Sequence, residues 1–217
     1  MALQDIPLAW SRLRTAWRLA GNMAITGNLT VDGSVTIGGS TSTSSPPVPQ
    51  PADHNLAAWS YDPTVAISTL SPTLGTVYLS AIPIRQTTTI SKLWFLLGTA
   101  AGTPTAGQNW IGLYNSAGTI LSTASLDSVV TGSNTPKSGT LSAAQSVGAG
   151  IYWVGMVFNG STAPVVYKTA MPFTGFANVN QTAATYRYAV NGTSQTALSN
   201  ITPSSNGAGQ SIWVGAS

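Results

Sequence analysis

His54 is the only histidine in the chain, and Asp53 precedes it, so any Ser-His-Asp relay has to be built at this point. Yet the pair lies in a proline-rich stretch that offers no packed surroundings for a nucleophile. Glycoside hydrolysis needs two carboxylates on either side of the scissile bond, and the body of the chain has only Asp62 and Asp127. Isolated aspartates among short strands belong to turns. There is no glutamate and no cysteine, so thiolate metal sites and disulfides are excluded. Gly148-Ala149-Gly150 begins a dinucleotide fingerprint, but Trp153 stands where its last glycine belongs. The inventory points away from an enzyme and implies neither cofactor nor metal.

Binding is better served. Tyr186-Arg187-Tyr188 puts two tyrosines on one face of a strand, followed by Asn191 in a loop rich in Asn and Thr. Stacking rings beside neutral hydrogen-bonding groups are the ingredients of a carbohydrate platform. Trp59, Tyr61, Trp110 and Tyr114 are further candidates. The competing reading is that most of these rings fill a core.

Strands must position these residues. From about Leu56 onward, short apolar runs alternate with turn clusters: TVYLSAIPIR (76–85), TISKLWFLL (89–97), NWIGLYN (109–115), TILSTA (119–124), IYWVGMVFN (151–159), VVYKTAM (165–171) and SIWVGA (211–216). No helical period is sustained among them. A further strand is expected around 186–190, within longer loops spanning 172–210. This spacing predicts a mainly β head over 56–217, an antiparallel jelly-roll-like β-sandwich.

Upstream, residues 41–55 carry a Ser/Thr run and then prolines, which reads as a linker. Before it, glycines recur at Gly21, Gly27, Gly33 and Gly39. Ile25, Leu29, Val31, Val35 and Ile37 fall on one face of the extended repeats between them. One chain cannot bury that face in so few repeats, whereas three chains about a common axis can. Residues 22–40 are therefore expected to form the β-prism or β-helix shaft of a homotrimer, two plain hairpins being the alternative.

Residues 1–21 read as a helix with Ile6, Trp10, Leu13 and Trp17 at heptad spacing and Arg14 and Arg18 beside them. Two heptads need a partner, so this helix is expected to anchor the protein in a larger assembly, or else to pack on its own domain.

The net charge of +3 is small, and three of the eight cations (Arg12, Arg14, Arg18) lie in this N-terminal stretch. A nucleic-acid partner is not expected. Only 6% of residues are charged, so Ser, Thr, Asn and Gly carry solubility. No window reaches the ~20 apolar residues of a membrane span, and the N-terminus makes a poor signal peptide.

The stretch NWIGLYNSAGTILSTAS, preceded by TISKLWFLL and AGTPTAGQ and followed by GAGIYWVGMVFNG, resembles the β domain of minor tail proteins of tailed phages of actinobacteria. ITGNLTVDGSVTIGG is similar to the short repeats of phage fibre shafts. The resemblance implies a virion structural protein, assembled in the host cytoplasm and released by lysis. It implies a tail-associated fibre that docks into other virion proteins through its N-terminus and uses its head for receptor binding on a host cell-surface glycan. A capsid decoration protein or head fibre is the alternative, and a glycan-degrading enzyme the more distant one.

Overall fold

Each of the seven apolar runs contains a strand, because large side chains alternate there with small or polar ones over most of the length a sheet needs. The computed structural model describes residues 48–170, 174–182, 185–202 and 210–217. The expected anchor helix (Ile6, Trp10, Leu13, Arg14, Trp17, Arg18), the expected shaft (Ile25, Leu29, Val31, Val35, Ile37) and most of the linker lie outside the described residues.

The strands are β1 (Ala58–Trp59), β2 (Ser68–Leu70), β3 (Tyr78–Ile84), β4 (Thr88–Thr99), β5 (Trp110–Tyr114), β6 (Ile120–Ser125), β7 (Thr135–Val147), β8 (Gly150–Val157), β9 (Val165–Lys168), β10 (Tyr188–Val190) and β11 (Val214–Ala216). Pairing is nested and antiparallel: β5 with β6, β4 with β7, β3 with β8 and β2 with β9. The nest rolls into two facing sheets, β2-β9-β4-β7 and β3-β8-β5-β6. Such a rolled hairpin is the connectivity of a jelly roll. β11 also pairs with β4, β1 extends β11, and β10 extends β3.

Between the sheets lie Ile82, Ile111, Leu113, Val154 and Met156 from one side and Leu93, Phe95, Leu97, Val166 and Val214 from the other. Each large side chain buried here stabilises by about 1.5–3 kcal/mol. Phe95 meets Phe158 with ring centroids 6.1 Å apart. On β4 the inward positions skip from Ile90 to Leu93, which breaks strict alternation. A bulge resolves it: Ser91 and Lys92 both donate their amides to the Ser217 carbonyl, at 2.7 and 2.8 Å, so the strand changes phase.

Two smaller clusters cover the outer faces. Val77, Leu79, Tyr114, Trp153 and Val157 project from the back of the sheet that holds β3 and β8, and Leu198 and Ile201 close over them. On the back of the other sheet sit Trp59, Ala66 and Trp213, packed with Leu56, Tyr61, Trp94, Leu96 and Tyr167. The cover there comes from residues the sequence assigns to the end of the linker and the start of the head. Pro51–His54 is a 3-10 turn in which the Gln50 amide donates to Asp53 Oδ2 at 2.8 Å, and Asn55 ends it at φ 56°. Residues 50–55 thus form the first turn of the head.

Candidate functional site

The tyrosine platform expected at 186–191 does not form. Tyr188 is 3% exposed, because it enters β10 and faces Ser80 across the pair with β3, on the core side. Burial, partly offset by Arg187, pushes its phenol up to about 12. Tyr186 turns the other way and packs on the outer cluster with Trp153 and Leu79. Asn191 accepts the Thr202 amide at 3.1 Å and so closes a loop. Only Arg187 stays exposed; it donates to the Ser60 carbonyl at 3.1 Å and stands over the Tyr188 ring at 5.7 Å. The strand begins too late for Tyr186 and Tyr188 to share a face.

The other aromatic candidates are held by structure. Tyr114 is wholly buried. Trp110 is half-buried and donates to the Gly107 carbonyl at 2.9 Å. Tyr61 donates to the Ser211 carbonyl at 2.9 Å, and burial, with Tyr188 adding to it, raises its phenol far above the ordinary value. Trp59 is 8% exposed, with its ring meeting the edge of His54 at 5.4 Å.

Both aspartates serve turns. Asp62 accepts from the Thr64 amide at 2.8 Å and its hydroxyl at 2.7 Å, ahead of a 3-10 turn over Pro63–Val65. Asp127 accepts from the Gly107 amide at 2.6 Å and Asn109 Nδ2 at 2.9 Å. Among the described residues no group of three or more His, Cys, Asp or Glu is placed to hold a metal. No helix among them is long and apolar enough to cross a membrane.

The candidate site lies on the back of the β4–β11 sheet. Trp94 and Trp213 wall a groove of about 390 Å³ with Leu56, Leu96, Pro63 and Pro136, and His54 and Asn55 stand at its edge. Trp94 is half-buried and fixed by its Nε1 donating to Ser217 Oγ at 2.9 Å; Trp213 is fixed by donation to the Tyr61 carbonyl at 2.9 Å. Held rings lose little freedom when a ligand stacks on them. Leu56 also lines a second cavity of about 490 Å³, which holds Trp59, Asp62, Arg85 and Gln86. Pro83 is shared between that cavity and a third of about 400 Å³, which holds Arg187. The three cavities thus adjoin through single shared residues, Leu56 and then Pro83, and make an interrupted track along the head.

Sequence reasoning missed Trp94, although the signal was present. In KLWFLL, with Leu93, Phe95 and Leu97 facing inward, Trp94 and Leu96 must face out, so an apolar outer face needs either a cover or a ligand. Trp213 falls in SIWVGA, which reads as a strand and nothing more. No family model and no curated protein matches the chain.

Proposed function

We propose that this protein is a non-enzymatic attachment component of a tailed-phage virion, a tail-associated fibre whose head binds a host-surface glycan. Residues 1–21 dock into other virion proteins, residues 22–40 trimerise the chain, and three jelly-roll heads project from the shaft. The mechanism is adhesion without turnover.

The row of adjoining cavities, lined by the half-buried Trp94 at one end and the exposed Arg187 at the other, supports this reading. A polymer needs an elongated surface with ring faces and spaced polar groups, whereas a small metabolite is enclosed in one pocket. Individual sugar contacts are weak, and three heads on one shaft raise retention through effective concentration.

Two experiments test the proposal. Fluorescently labelled full-length protein added to host cells should be retained and should be displaced by purified host envelope glycan; no host-specific retention overturns the attachment reading. Immunogold labelling of intact virions with antibody against the head should place gold at the tail. Gold over the capsid overturns the tail assignment in favour of a head fibre.

A further inference from the structure

Arg187 is exposed and carries a charge although the tyrosines on either side of it are taken up by packing. Its guanidinium lines the third cavity, about 400 Å³, within the roughly 300–1,000 Å³ of small-molecule sites. Ala81, Pro83 and Ile151 supply an apolar floor there, and Ile151 is 48% exposed. Among the described residues no carboxylate lines the cavity. Of the five N–H donors of the guanidinium, one meets the Ser60 carbonyl at 3.1 Å, and the Tyr188 ring backs the group at 5.7 Å. The guanidinium is thus tethered at one N–H and leaves donors for a ligand.

Gln181 lines the same cavity, and its Oε1 is buried with no hydrogen-bond partner among the described residues. A buried acceptor without a partner is costly; this one is closed to solvent, so it gains a ligand hydroxyl when the Gln181 side chain turns toward the cavity. Thr185 also lines the wall, but its hydroxyl is already bonded to Thr182. The cavity thus offers a cation and an apolar floor to a ligand, with an unmet acceptor on Gln181 behind its wall.

A hexuronic acid residue carries the matching set: a carboxylate, hydroxyls and an apolar C–H face. We infer that this cavity is an acid-sugar subsite, with a uronate carboxylate paired to Arg187 and a ring hydroxyl donating to Gln181 Oε1. The inference deepens the attachment reading and rests on it, since it makes the bound glycan acidic and places its charged residue at one end of the track. Guanidinium and carboxylate match in geometry as well as charge, and the pairing is frequently bidentate.

The test uses the full-length protein and four probes: methyl glucuronoside, methyl galacturonoside and the corresponding neutral glucoside and galactoside. Binding is followed by NMR through the Arg187 side-chain N–H and by ligand saturation transfer. At least one uronoside should bind about tenfold more tightly than its neutral counterpart. Arg187→Gln should erase that preference, and Gln181→Leu should weaken the uronoside while leaving the preference. Equal binding of acid and neutral sugars, binding of neither uronoside, or a preference that survives Arg187→Gln overturns the subsite. If sulfate alone competes as well as the uronoside does, the site is a plain anion site and the saccharide assignment fails. Host-cell retention of the same preparations separates the two levels. Retention without acid preference removes the subsite alone, while absence of retention by the unaltered protein removes the attachment reading itself.

Discussion

Tyr114 packs against Gly155 of the neighbouring strand so closely that a Cβ on the glycine would lie 2.8 Å from ring Cε2 and 3.3 Å from the phenol oxygen. The ring occupies the space a side chain at 155 would need. Its hydroxyl is buried and meets no partner among the described residues, and burial raises its pKa well above the ordinary value.

Removing an unsatisfied hydroxyl leaves nothing unpaired, so Tyr114→Phe should be neutral or stabilising by up to about 1 kcal/mol. Gly155→Ala adds a methyl to filled space and should cost about 1–3 kcal/mol. Urea denaturation of both variants checks this. A Phe variant that loses more than about 1 kcal/mol means that the hydroxyl has a partner after all.

Asp127 joins the turn at Gly107 to Asn109, whose Oδ1 accepts the Asn159 amide at 2.8 Å. Desolvation raises the carboxyl, but bonds from Gly107, Asn109 and Ser125 outweigh it, and the net pKa lies below the ordinary 3.8. A carboxyl lowered in the folded state stabilises fully above 3.8, and this contribution fades as pH falls through the lowered value. Asp62 is also lowered, first by the Thr64 hydroxyl, but it is solvent-facing. Asp127→Asn should therefore lower Tm at pH 7 by about 2–4 °C, for roughly 1 kcal/mol of lost bonding, and lessen the drop below pH 4. Calorimetry from pH 2.5 to 7 reads both effects; identical acid profiles would exclude Asp127 as the source.

Gly118 closes the β5–β6 turn at φ +83°, with its carbonyl accepting the Ile201 amide at 2.8 Å. A Cβ here would strike the Ile201 carbonyl. Gly118→Ala combines left-handed strain with that collision and should cost about 2 kcal/mol or more. The loss should appear first as proteolytic cleavage near 191–202, since that segment is held over Tyr114 and Trp153 by this contact. Global unfolding without local nicking would show the segment and the sheet to be one cooperative unit.

The strands around Leu79, Phe95, Leu113 and Val154 were legible because period-two burial writes itself into apolar alternation. β7 was not: TPKSGTLSAAQSV buries little beyond Leu141 and Val147, and its excursion at Leu141–Ala144 leaves β4 to meet Ser122 of β6. Edge pairing by backbone leaves no hydrophobic trace. The platform at Tyr186 and Tyr188 failed for a related reason, because alternation predicts a shared face only where the strand is continuous, and β10 starts at Tyr188. Arg187, at the position before that strand, stays exposed because its side chain leaves the core side that Tyr188 enters. His54, which the sequence assigns to the linker, belongs to the head because a capped 3-10 turn, invisible to periodicity, folds PADHN onto Trp59.

Trp94 offers the best test of the groove because its ring is half-buried and its indole N–H is already bonded to Ser217. Stacking needs the ring face, whereas the fold uses the N–H bonded to Ser217 and the packing in the cluster of Trp59, Ala66 and Trp213. Trp94→Ala should therefore reduce retention on host cells by about tenfold, near 1.4 kcal/mol. Trp94→Phe keeps a stacking face and loses only the bond to Ser217, so it should recover most of the binding with a small drop in Tm. Parallel measurement of retention and Tm separates the two roles of the residue. If Ala and Phe variants lose binding equally, the N–H positions the groove and the ring does not touch the glycan. If neither loses binding, the contact lies further along the track, toward Trp59 and Arg187.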